Sequence, residues 1–315
     1  MKSGLRFSAQ ELEEAILLTL RYSAHFHFAL EKSEIWQRLP SSSNLEQLFA
    51  QKNKAILPKM QPTREEFQKS LKHLLETKKI QQQGKFFFLK EADLLSRQAR
   101  AKIFPEKLAA IREFVKYIEK FSDIQAVAVT GSVAVKNAAA EDDLDFLVVC
   151  KKDRLWLTRF LLLAYSALRG KRPHLDSTKK SIHDSNAWCF NLWLEEESLS
   201  MPTTKRSLYE AYEIQQLFWC YDRANIAKRF LKDNIWTKKF LFEVQVQRIF
   251  LKKNSPKQVS TKKSGIIFYF FNEFFYYLQV FYRKIFHAKE VFLMKKQQAF
   301  FSADSFRKYL YQRLK

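Results

Sequence analysis

The segment VTGSVAVKNAAAEDDLDFLVV, residues 129–149, constrains this chain more than any other. A short apolar run, IQAVAV, ends in Thr-Gly-Ser, and after a gap of ten residues from Ser132 a second apolar run opens on Asp-Leu-Asp. The first run predicts a buried strand and a turn, and DLDFLVVC (143–150) predicts a second buried strand. Gly131 lets the backbone come close to a phosphate, and Ser132 adds a hydroxyl donor. The VAVKN that follows is expected to turn into a helix whose first amides face an anion. Asp143 and Asp145 are two apart, so on a strand both carboxylates point to one face, roughly 7 Å apart along it. Carboxylates in a run that is otherwise core are costly unless a ligand or metal needs them, and their oxygens suit Mg2+.

The chain before this segment reads as helices and one hairpin. Residues 9–21 predict a helix with Ser8 and Glu11 as a capping box. A short helix is expected at 33–39 behind Ser33, and a longer one at 62–80, where Thr63 and Glu66 form another box. KKIQQQGKFFFLK then places Gly84 between two β-prone runs. Three helices and a hairpin in this order predict a winged helix-turn-helix, a module that binds DNA or other proteins. Helical periodicity continues from 94 to 121, with a break allowed at Pro105. Beyond the Asp pair, 153–170 predicts a helix closed by Gly170, and AWCFNLWLEEE (187–197) a third strand. The remainder reads as helix. The expected class is α+β and mostly helical, divided into 1–92, 93–200 and 201–315: a winged helix, a small mixed sheet flanked by helices, and a helical C-terminal region.

A length of 315 residues allows two or three such units, and five glycines and seven prolines are too few for an all-β chain of tight turns. The formal charge of +22 would attract phosphate-rich partners, nucleic acid among them, although the basic residues are spread along the chain. Cys150, Cys189 and Cys220 are far apart and set in apolar surroundings, as expected of reduced thiols in the cytoplasm. The six histidines form no metal-binding pair. The opening segment, interrupted by Glu11, Glu13 and Glu14, does not read as a signal peptide. The aromatic segment 265–286 is interrupted by Asn272, Glu273 and Gln279, so no transmembrane span is expected; it reads as a buried or docking helix, or else as a helix lying in a membrane interface. Oligomeric state is not legible.

Gly-Ser, a gap of this size, then Asp, an apolar residue and a second Asp together resemble the signature of the DNA-polymerase-beta-like nucleotidyltransferase superfamily. The order of LRYSAHFHFAL, GKFFFLK, AVTGSVAV, DLDFLVV, DRLWLTRFLLL, CFNLWL and AYEIQQL also resembles a group of bacterial chains that join a winged helix to a nucleotidyltransferase domain, over roughly residues 10–240. The resemblance implies a nucleotidyltransferase-type sheet and an activity that moves a nucleoside monophosphate from a nucleoside triphosphate to an acceptor. Gly131 and Ser132 would hold the triphosphate, and Asp143 and Asp145 would be the catalytic ligands of Mg2+. Lys136, Asn137 and Arg154 are candidate phosphate or base contacts. Active members carry a third acidic residue on a later strand, and here the matching inward position is Asn191. Asp176, Asp184 and Glu195 are the nearby carboxylates that could substitute. Asparagine cannot act as a base, so the alternative is a catalytically weak nucleotide sensor coupled to a DNA-binding regulator.

Overall fold

The computed structural model describes residues 6–49, 59–172, 185–244, 247–248, 266–286, 293–301 and 304–315. Of these, 54% are helical and 16% are in strands, an α+β arrangement of a small N-terminal sheet and a larger mixed sheet flanked by helices.

The N-terminal part comprises α1 (Ala9–Ala24), β1 (Leu30–Glu31), α2 (Lys32–Gln37), α3 (Leu45–Phe49), α4 (Arg64–Glu76), β2 (Gln81–Gln83) and β3 (Phe86–Phe88). Both expected capping boxes form, Ser8 with Glu11 and Thr63 with Glu66. The second helix starts earlier than expected, and its N-cap is Glu31 rather than Ser33, because Glu34 returns a carboxylate to the Glu31 amide at 2.8 Å. Gly84 takes φ +58 at the tip of the β2–β3 hairpin, and the three strands order as β1-β3-β2. Leu12, Ile16, Leu20, Ile35, Trp36, Phe67, Leu71 and Leu74 form the core beneath them.

The helical stretch after the hairpin is two helices, α5 (Glu91–Ala101) and α6 (Phe104–Ile118). Pro105 lies in the first turn of α6, where its missing N–H costs nothing. The central part continues with β4 (Ile124–Val129), α7 (Gly131–Ala134), β5 (Leu144–Cys150), α8 (Leu155–Leu168) and β6 (Trp188–Glu195). Next come α9 (Leu208–Gln216), β7 (Phe218–Asp222), α10 (Ile226–Asp233), β8 (Gln247–Arg248), α11 (Ile266–Phe286), β9 (Leu293–Lys295), β10 (Gln298–Phe300) and α12 (Asp304–Leu314). Gly170, with φ +62, follows the last turn of α8 as expected.

The reading of everything after residue 200 as helix needs correction. FWCYD forms β7, and the tail contributes the β9–β10 hairpin, so the sheet runs β8-β7-β4-β5-β6-β10-β9. A short apolar run such as LFWCY has no periodicity that separates a buried strand from a buried helix. Pairing with β4, decided in three dimensions, makes it a strand.

The sheet is covered on both faces. Ala126, Ala128, Leu147, Val149 and Leu194 meet α9, α10, α12 and the end of α1. Val127, Val129, Phe146, Val148, Cys150 and Trp193 meet α6 and α8. Among the described residues no helix is long and apolar enough to cross a membrane.

Candidate active site

Alternation along β5 determines which way the two aspartates can face. Leu144, Phe146 and Val148 point into the α6–α8 layer, whereas Leu147 and Val149 point toward α9. Asp145 shares the latter face. Asp143 immediately precedes the strand, and both carboxylates reach the end of the sheet where β4 turns into α7.

Gly131 makes that approach possible. Its φ is +63, a region that disfavours side chains, and a Cβ built there would lie 2.5 Å from Asp145 Oδ2. The backbone and a carboxylate therefore occupy space that any other residue would fill. The helix expected from VAVKN is a single turn, too short for a helix dipole to contribute much at an anion site. Ser132 Oγ donates to Asp142 Oδ2 at 2.9 Å, and the Ala139 amide donates to the same oxygen at 3.0 Å. Asp142 thus clips the loop that delivers Asp143. Lys107 of α6 fixes the loop from below, its Nζ donating to the carbonyls of Ala140 at 2.9 Å and Asp142 at 2.5 Å. Neither Asp142 nor Lys107 was expected, but Lys107 stands four residues before Ile111 and seven before Phe114, on the core stripe of its helix. A cation in that position must find buried acceptors.

The third strand supplies two neighbours. β6 runs parallel to β5 with Cys189 opposite Asp145, and a register shift leaves Asn191 as an extra residue between the pairs Phe146–Phe190 and Leu147–Leu192. Asn191 Nδ2 donates to Asp145 Oδ1 at 2.5 Å, and Cys189 Sγ donates to Asn191 Oδ1 at 3.2 Å. Cys189, read from sequence as an ordinary reduced thiol in apolar surroundings, has its sulfur within 4.8 Å of carboxylate oxygens of both aspartates. Burial and the negative aspartates push its pKa up, so it stays a thiol. A protonated sulfur is a poor partner for a hard cation, and the oxygen donors that fit Mg2+ here are Asp143 and Asp145.

Burial, followed by repulsion from Asp143, pushes Asp145 up to about 8. A nearby divalent cation relieves both effects, so the pair fits such an ion better than it fits an unliganded carboxylate site. A further acid contributes to the raised value. Glu213 of α9 lies close enough to act on Asp145, and burial raises Glu213 itself to about 7. Sequence reading passed over it, although Glu210 and Glu213 sit three apart in LYEAYEIQQL among apolar neighbours. Glu210 is held by Arg307 at 2.9 Å.

These groups open into a cavity of about 510 Å3. Gly131, Ser132, Asn137, Asp143, Asp145 and Glu213 line one side. Tyr22, Phe26, Phe28, Tyr209 and Phe306 make an aromatic wall, with Arg38 beside it. A smaller cavity of about 220 Å3 continues past Asp145, Asn191 and Glu213. A larger groove between α1 and α4 is lined by interleaved acids and bases such as Glu66, Lys69, Lys72 and Glu76, with His73 Nδ1 and Glu13 Oε1 paired at 2.7 Å.

Asn137 belongs to the site, but as a brace. Its Nδ2 donates to the Phe26 carbonyl at 2.9 Å, and Arg100 Nη1 reaches both the Phe26 and Asn137 carbonyls at 3.3 Å. Two candidate contacts are corrected. Lys136 has φ +59 and is exposed, with its ammonium over the Phe104 ring, because the turn after α7 directs it away from the cavity. Arg154 sits before α8, beyond the far end of β5, over Phe268 and beside Asp123. Glu195 is also at that far end, accepting from the amides that open α8, so it does not join the aspartates. Asp176 and Asp184 lie outside the described residues. Compared with family models, curated proteins and solved structures, the chain matches none.

Proposed function

We propose that this chain is an Mg2+-dependent nucleotidyltransferase of the DNA-polymerase-beta-like type, moving a nucleoside monophosphate from a nucleoside triphosphate to a hydroxyl acceptor. The observation that carries this reading is the meeting of Asp143 and Asp145 with the left-handed Gly131 turn at the floor of an aromatic-walled cavity. The finer fold assignments belong to the same proposal. The order of α1 to β3 and its three-stranded sheet support a winged helix, and the β4–turn–β5–β6 unit supports a nucleotidyltransferase-type core.

In this reading Asp143 and Asp145 hold the metal, which when bound offsets the charge of the triphosphate and of the pyrophosphate leaving group. Asn191 orients Asp145 through the Nδ2–Oδ1 hydrogen bond. Gly131 leaves room for the Asp145 carboxylate against the backbone, at the edge of the cavity that a triphosphate would enter. The half-buried rings of Phe26, Tyr209 and Phe306 offer stacking to a base. The acceptor oxygen attacks the α-phosphorus, forming a new P–O bond as the bond to pyrophosphate breaks. Glu213, with its pKa raised to about 7, suits the general base that takes the acceptor proton.

The test is incubation with labelled nucleoside triphosphates, Mg2+ and cell extract, beside an Asp143→Asn/Asp145→Asn variant. Label transferred by the wild type alone supports the enzyme. No transfer with any nucleotide overturns it.

Two observations favour a second reading, a nucleotide sensor coupled to the N-terminal module as a DNA-binding regulator. The third-strand position is the amide Asn191, and the cavity is shared with Phe26 and Arg38 of that module. Salt-sensitive DNA binding that changes on nucleotide addition, without transfer, supports the sensor.

A further inference from the structure

Helix α11 has its polarity reversed for a helix lying on a protein in water. The side it turns to the body carries Asn272, Phe275, Tyr276 and Gln279, a helical stripe. Asn272 Oδ1 accepts from the Trp156 and Leu157 amides at 2.8 and 3.3 Å, and Gln279 Nε2 donates to the Trp156 carbonyl at 3.0 Å. The polar residues that interrupt this segment in sequence thus anchor it to α8. The opposite side is apolar. Phe270, Phe274, Tyr277 and Phe281 are 64%, 59%, 60% and 63% exposed, and Ile267, Phe271, Leu278 and Ile285 lie among them. Of the exposed side chains on α11, Lys284 alone is charged. The surface continues onto α8, where exposed Phe160 stacks on Phe275 with ring centroids 4.4 Å apart and Leu161 is also exposed.

We propose that this face of α11 and α8 docks onto an anionic phospholipid bilayer, with α11 lying along the interface rather than crossing it. A continuous apolar surface of this kind marks a site of association, and charge selects the occupant. Glu273, the one carboxylate of α11, is neutralised by Lys296 at 2.7 Å. Lys284 is exposed in the last turn, and Lys295 is exposed on the neighbouring hairpin. A chain of net charge +22 is drawn to an anionic surface and repelled by a second copy of itself. The tyrosines, with an apolar ring and a polar hydroxyl, suit the headgroup boundary. This docking is independent of the nucleotidyltransferase reading.

The full-length protein is sedimented with sucrose-loaded vesicles of phosphatidylcholine, with and without phosphatidylglycerol, beside a Phe270→Glu/Phe274→Glu/Phe281→Glu variant and a Lys284→Glu variant. Circular dichroism confirms folding, and sedimentation velocity without lipid reports self-association. The expected result is wild-type capture by phosphatidylglycerol vesicles that falls as salt rises, with a loss of affinity of about tenfold or more in the triple variant and a smaller loss in Lys284→Glu. Wild type that ignores phosphatidylglycerol vesicles overturns the proposal, as does a folded triple variant that binds them equally well. Wild-type self-association abolished by the triple variant, without vesicle capture, assigns the face to a second copy instead.

Discussion

At the scale of single residues, Gly131 and Asp145 form one unit. An alanine at 131 would adopt a disfavoured backbone conformation and place its Cβ 2.5 Å from the Asp145 carboxylate. Gly131→Ala is expected to lower stability by about 1–3 kcal/mol, read from chemical denaturation, and to weaken Mn2+ binding because Asp145 must move. Asp145 also gives a pH dependence of definite sign. Its folded-state value of about 8 lies above that of an unfolded aspartate, so its burial is best tolerated at low pH, and stability is lost as pH rises through about 8. Metal binding requires the ionised form and opposes that loss. Thermal stabilisation by Mn2+ is therefore expected to grow from about pH 6 to pH 9 and to disappear in Asp145→Asn. Equal stabilisation across that range would contradict a metal held by this carboxylate. The pair and the glycine were readable from sequence because their types and spacing carry the chemistry. Cys189, Glu213 and Lys107 were not, since each comes from a distant element and means something only once β5, β6, α6 and α9 are side by side.

At the scale of elements, β6 has a different task at each end. Cys189 and Asn191 sit beside Asp145, while Glu195 is buried under the start of α8 and raised to about 7, chiefly by burial. The sign is again that of a raised acid: the favourable state is present below the unfolded value and lost as pH climbs through about 7. Glu195→Gln is expected to shrink the fall in stability between pH 5 and pH 8 by on the order of 2 kcal/mol, measured by denaturant unfolding at both values. Helix starts were the most legible elements. Ser8–Glu11 and Thr63–Glu66 are local devices, complete within four residues. Strands without alternation were the least legible, because FWCYD pairs with β4 and the tail hairpin joins the sheet through β6, partners far away in sequence.

At the scale of the whole molecule, the cavity belongs to no single segment. Its floor comes from β4–β5, one wall from α9 and α12, and the other from the end of α1 and the residues that follow it. Phe26→Ala is expected to weaken nucleotide binding about five- to tenfold by removing a stacking surface, with Mn2+ binding at Asp143 and Asp145 unchanged. Calorimetry with each ligand separates the two effects. A Phe26→Ala variant that binds nucleotide like the wild type would place the base elsewhere. The sequence by itself determined the GS turn, the aspartate pair on one strand, the capped helices and the absence of an acid at position 191, because dihedral preference, period and residue chemistry act locally. The tertiary structure decided which groups surround the aspartates, turned FWCYD into a strand of the sheet, and set the polar stripe of α11 against the body with its aromatic face outward. Those outcomes depend on which surfaces meet and what water is excluded between them, and that information resides in contacts between residues far apart in the chain.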